Sequence, residues 1–346
     1  MEVRLVAILA IKIFEGNESL VNNIVNNKMI FNFPIFDTTY PAAVIDNSSI
    51  DILIDAEKKY YEKLEKRGDV KPFLLISTFN IPYVKEDNIS EIGDKGVIVN
   101  SKKYININEF FAEETFYKRI IDLIISHNLS FCGGINILEG RLFRNGIKVN
   151  DYDIIYSDLE FGKELANKIG WPILSNLHIE KTFCWLMKFS KSLDIVSDSK
   201  IGRAVNAFTY LFHQSLLYEN DLNDLVWSLV GLEAIYADGN TDLQNQLDYK
   251  SQLILGERQE FKKIIKKMYD YRSRYVHGEL NFASQFSTKD SVDFYNKFYS
   301  DMLEASNTAI GTFVASLQYF VINDIIDINF LKTYNYEITT SKSKIE

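Results

Sequence analysis

The stretch Met268-Tyr269-Asp270-Tyr271-Arg272-Ser273-Arg274-Tyr275-Val276-His277-Gly278 decides how the second half of this chain folds. It closes a longer segment, Gly256–Gly278, whose apolar residues recur at helical spacing. Phe261, Ile264, Ile265, Met268, Tyr275 and Val276 share one face of the helix they imply. Lys262, Lys263, Lys266 and Lys267 fall on the other, and Gly278 reads as the stop. Arg272 breaks the pattern, because on an ideal wheel it sits in the middle of the apolar face. A charge in that position is costly unless it is paired. In Leu222–Ala237 the apolar face is Leu222, Leu225, Val226, Leu229, Leu232 and Tyr236, with Glu233 on its flank. The two helices are therefore expected to share a buried Arg272–Glu233 ion pair.

The same helical texture extends both ways. Helices are expected at 179–195, 199–217, 221–237, 243–255, 259–277 and 288–322. Upstream, Ile169-Gly170-Trp171-Pro172 marks a helix end. Before residue 160 the pattern changes to Val-, Ile- and Phe-rich runs at 3–14, 29–36, 72–79, 97–99 and 135–138, which read as strands. Helices are expected at 56–66 and 111–127, and Asn145-Gly146 predicts a hairpin over 141–156. The fold class is thus α+β. An N-terminal mixed α/β domain at 1–165 precedes an all-α bundle at 166–325 and a C-terminal tail at 326–346.

Composition narrows the functional classes. The chain has 346 residues, 47% hydrophobic and 25% charged, which is the balance of a folded protein. Its net charge of −9 argues against binding nucleic acid by bulk positive charge. The segment Gly256–Gly278 runs the other way. Seven basic residues against three acidic ones make it +4, leaving −13 for the rest. The four lysines could track a phosphate backbone there, or simply face solvent. No window approaches a membrane span. The apolar start, Met1 to Ile11, is acidic at Glu2 and interrupted by Lys12, so a buried strand is expected rather than a signal peptide. Cys132 and Cys184 are expected to be buried thiols in a cytoplasmic protein. Asp151, Asp153, Asp158 and Glu160 fit no metal-loop spacing and read as a solvated turn, so no metal and no cofactor are expected. Arg272 and His277 are the pair with chemistry in it. An Arg can neutralise a phosphate bidentately and a His can move a proton, which suits phosphodiester cleavage.

The residues Asp224–Tyr236 (with Leu232-Glu233-Ala234-Ile235), Leu253-Ile254-Leu255-Gly256-Glu257 and Tyr269–Gly278 resemble, in order and spacing, the Apea-like branch of the HEPN superfamily. The resemblance covers roughly 199–322 and none of 1–160, and it departs at Gly231, where Ala is common. It implies a dimeric helical bundle that cuts RNA without a metal, leaving a 2′,3′-cyclic phosphate. By motif position Arg272 would bind the phosphate, His277 would be the general acid/base, and Glu233 would orient Arg272. Ser273 matches the motif serine and, with Arg274 and the four lysines, would contact RNA. The implied partners are RNA such as tRNA, a second copy of the chain, and a phage-derived trigger or partner protein at the N-terminal domain. The implied setting is anti-phage defence. A non-catalytic interaction or nucleotide-binding module is the rival reading.

Overall fold

A computed structural model describes residues 2–13, 30–35, 38–45, 51–80, 101–191, 194–195, 198–213, 222–239, 241–258, 262–280 and 292–330. The strands among the described residues are β1 Glu2–Ile13, β2 Ile30–Ile35, β3 Thr38–Ile45, β4 Lys71–Asn80, β5 Ile135–Arg144, β6 Ile147–Tyr152, β7 Ser190–Lys191 and β8 Asp194–Ile195. The helices among the described residues are α1 Asp55–Glu65, α2 Ser101–Phe131, α3 Leu159–Ile169, α4 Ile179–Leu186 and α5 Lys200–Thr209. They continue with α6 Leu222–Tyr236, α7 Leu243–Leu255, α8 Lys262–Val276 and α9 Val292–Ile322. The fold is α+β.

The first six strands form one antiparallel sheet in the order β2-β3-β4-β1-β5-β6. β1 is central, and its apolar residues alternate between two covered faces, as period-2 geometry requires. Val3, Leu5, Ala7, Leu9 and Ile11 pack with Phe116, Ile120, Leu123 and Ile124 of α2. Val6, Ile8 and Ala10 pack with Tyr60, Tyr61 and Leu64 of α1. Arg4 bonds the fully buried Glu57 at 2.6 Å and so ties β1 to α1. The predicted hairpin forms, with both Asn145 and Gly146 at positive φ.

The helical layer is built round α9, which is buried along most of its length from Ala305 to Val321. Two glycines permit close approach. A Cβ on Gly162 of α3 would meet Ile310 Cγ2 at 2.7 Å, and one on Gly231 of α6 would meet Phe313 Cζ at 2.0 Å. Gly231 is therefore a packing requirement, not a neutral departure. The layers are stitched together at the end of α2. Gln318 of α9 donates to the Leu129 carbonyl at 2.9 Å and accepts from the Ser175 amide at 2.9 Å.

Several expectations are corrected here. β3 was not foreseen, because Pro41 sits inside it and Pro argues against a strand unless an edge accommodates it. The helix expected over 179–195 stops at Leu186, and the one expected from 199 stops at Thr209. The boundary at 165/166 falls inside α3, which packs on α9 through Gly162, so the helical layer begins at Leu159. Cys184 is exposed, unlike Cys132. The expected strand at 97–99, the helical stretches 214–217, 259–261 and 288–291, and the end of the tail at 331–346 lie outside the described residues.

Candidate active site

α8 presents a narrower buried stripe than an ideal wheel suggests. Ile264, Ile265, Met268 and Tyr271 are buried, whereas Val276 is 60% exposed. Arg272 follows Tyr271 at the edge of that stripe, and its side chain is 35% exposed. The expected pair with Glu233 of α6 is present but half-buried, with Arg272 Nη2 3.9 Å from Glu233 Oε2. That is an ion pair without a hydrogen bond, since charge-assisted N–H···O bonds run about 2.7–2.9 Å. Glu233 Oε1, Arg272 Nε and the hydroxyl of Tyr269 are all buried without a hydrogen-bond partner of good geometry among the described residues. Burial, then the adjacent Glu233 carboxylate, holds the Tyr269 phenol well above its ordinary range. Tyr269 carries no signal of its own in the sequence beyond its position one turn before Arg272, on the same side of the helix.

His277 goes elsewhere. The helix stays regular to its end, with the His277 amide bonded to the Ser273 carbonyl at 3.0 Å. Gly278, at φ +69°, then closes it through Gly278 N to Tyr275 O at 3.1 Å and Glu279 N to Arg274 O at 2.8 Å. This double bond pattern is a Schellman cap. Five residues of regular helix turn His277 about 140° from Arg272. Its side chain is exposed and has no hydrogen-bond or ion-pair partner among the described residues. No irregularity at the helix end folds the two side chains together within one chain.

The basic cluster divides. Lys267 is held by Asp301 and Glu304 of α9, each at 2.7 Å, so it is not a free cation for phosphate. Lys266 is exposed and has no partner among the described residues. The side chains of Lys262 and Lys263 lie outside the described residues. Ser273 is exposed, and Arg274 lies 3.8 Å from Asp270. The α6 and α8 ends meet where Tyr275 donates to Asn223 Oδ1 at 3.3 Å. Beside them His213 Nε2 lies 2.8 Å from buried Asp224, and the His213 backbone bridges to Tyr156.

A second polar cluster lies at the seam of the two layers. Asp158 and Glu160 are buried, not solvated, because the turn carrying them is covered at the start of α3. A Cβ on Gly133 would come within 2.6 Å of Glu160 Oε2, so the carboxyl lies against the Cys132-Gly133 backbone. Neither Glu160 oxygen has a side-chain partner among the described residues, and burial, against a weaker pull from its own backbone N–H and with some help from Asp158 and Glu164, pushes its pKa up to about 8. His127 is fully buried with neither ring nitrogen bonded among the described residues, and burial pulls its pKa down to about 3. Among the described residues no group of three His, Cys, Asp or Glu could hold a metal, and no helix is long and apolar enough to cross a membrane.

No family model, no curated protein and no solved structure matches this chain. Function therefore rests on the residues themselves.

Proposed function

We propose that this protein is a HEPN-type endoribonuclease that cuts RNA without a metal ion and acts as an effector of anti-phage defence. The observation that carries the reading is the half-exposed Arg272 held by Glu233 at 3.9 Å in the segment that resembles the HEPN motif. A guanidinium with one edge near a carboxylate and part of its surface exposed can take a phosphate. In the reaction an RNA 2′-hydroxyl loses its proton and attacks the adjacent phosphorus. The P–O5′ bond breaks and its oxygen takes a proton, leaving a 2′,3′-cyclic phosphate and a 5′-hydroxyl. Arg272 neutralises the non-bridging oxygens, and His277 moves the proton. General acid–base catalysis of this kind contributes about 10²–10⁴-fold.

A homodimer fits the geometry. His277 stands about 140° round the helix from its own Arg272, and a second copy could place its histidine at the first copy's cleft. The N-terminal sheet domain would then respond to the phage-derived trigger and control access. The rival reading is a binding module without catalysis, and the 140° separation favours it if the chain is monomeric. Expression of wild type, Arg272→Ala and His277→Ala, with tRNA cleavage assayed in EDTA, decides between them. Cleavage by wild type alone supports the nuclease. Binding of RNA by all three with no cleavage by any supports the module.

A further inference from the structure

The Arg272–Glu233 site contains three buried polar atoms that make no hydrogen bond of good geometry among the described residues: Glu233 Oε1, Tyr269 Oη, which already stands beside Glu233, and Arg272 Nε. Buried polar groups are nearly always hydrogen-bonded, so three orphans in one place mark an arrangement that is completed by another state or a ligand. They come from only two helices. Tyr269 and Arg272 stand one turn apart on α8, and Glu233 faces them from α6. The set is chemically matched, since it holds one carboxylate oxygen that can only accept, one hydroxyl and one guanidinium N–H. The Tyr269 phenol keeps its proton next to Glu233, so toward that carboxylate it acts as a donor.

We propose that Tyr269 is a positioning residue, whose hydroxyl donates to Glu233 and thereby sets the Arg272 guanidinium for a phosphate. This rests on the ribonuclease reading for its substrate, but not for the positioning itself. With Tyr269 on Oε1, the Glu233 carboxylate is fixed in rotation. Its other oxygen, Oε2, is then aimed at Arg272 Nη2. Closing the present 3.9 Å separation by about 1 Å makes a charge-assisted hydrogen bond. The exposed side of the guanidinium is left for the anion. An incoming phosphate would favour this closed arrangement, because an ordered guanidinium loses less freedom on binding. Catalytic hydrogen bonds are often long in the unliganded state and tighten on binding.

The test uses the full chain and Tyr269→Phe, which keeps the ring and removes only the hydroxyl. Two readouts are taken. The first is kcat and KM for cleavage of a tRNA. The second is titration with inorganic phosphate, followed by the Arg272 Nε–H signal in arginine-labelled protein. The expected result is about a tenfold weaker response to phosphate and a raised KM in Tyr269→Phe, with an unchanged thermal midpoint. If wild type cuts no RNA but Tyr269→Phe still weakens phosphate binding, the nuclease reading fails and the positioning role stands. Should wild type cut RNA while Tyr269→Phe matches it in KM and in phosphate response, the positioning role is overturned. A wild type that neither binds phosphate nor cuts RNA refutes both. If Tyr269→Phe lowers the thermal midpoint, the phosphate titration is repeated in a Glu233→Gln background. Loss of the Tyr269 effect there supports action through Glu233, and an additive effect overturns it.

Discussion

Glu160→Gln should make the protein more stable, and increasingly so as pH rises. Glu160 is 8% exposed and neither of its oxygens has a side-chain partner among the described residues. Its pKa stands at about 8 in the fold against 4.5 for the free side chain. Between these values the unfolded chain has lost the proton and the native one has kept it. The native state binds more protons, so stability falls as pH rises through this window and levels off above pH 8. The slope is about 1.4 kcal/mol per pH unit. At pH 7 the accumulated loss is about 3 kcal/mol, and glutamine, which is neutral and of the same shape, removes it. Urea unfolding of both proteins at pH 5, 6, 7 and 8 reads the difference directly. The gap should be small at pH 5 and widen with each step. A gap that stays constant from pH 5 to 8 would refute the reasoning, because it would mean that Glu160 titrates like an exposed carboxyl.

His127 should act with the opposite sign. Its pKa is about 3 in the fold against 6.5 outside it, so stability is lost as pH falls below 6.5. His127→Leu should abolish that acid limb in the same unfolding series. Gly231→Ala should cost about 3 kcal/mol or more, because the new methyl would sit 2.0 Å from fully buried Phe313, and thermal unfolding measures it. Lys266→Ala should lower the slope of RNA binding against log salt by about one, while Lys267→Ala, already neutralised by Asp301 and Glu304, should leave it unchanged.

The elements were largely legible wherever periodicity was strong. β1, α6, α7 and the Asn145-Gly146 hairpin follow from alternation, helical spacing and turn chemistry alone. The Arg272–Glu233 pairing was legible too, because a charge beside an apolar stripe needs a partner. Depth was not legible. The wheel put Arg272 in mid-face because it counted Val276 as core, yet Val276, in the last turn of α8, is exposed. Asp158 and Glu160 looked like a solvated turn, since nothing in their own spacing shows that α3 docks on α9 and the α2 end. Gly231 looked neutral because Phe313 lies more than eighty residues away in sequence. Lys267 looked like part of a basic track for the same reason, because its two carboxylates come from α9.

Incubation of the purified chain with tRNA in EDTA, with mapping of the RNA ends, tests the ribonuclease assignment most directly. Wild type should leave 2′,3′-cyclic phosphate and 5′-hydroxyl ends, and Arg272→Ala and His277→Ala should each reduce cleavage at least 100-fold, to about the level expected when charge neutralisation or proton transfer is lost. Cleavage that EDTA abolishes, or that both variants retain at the wild-type rate, would contradict it.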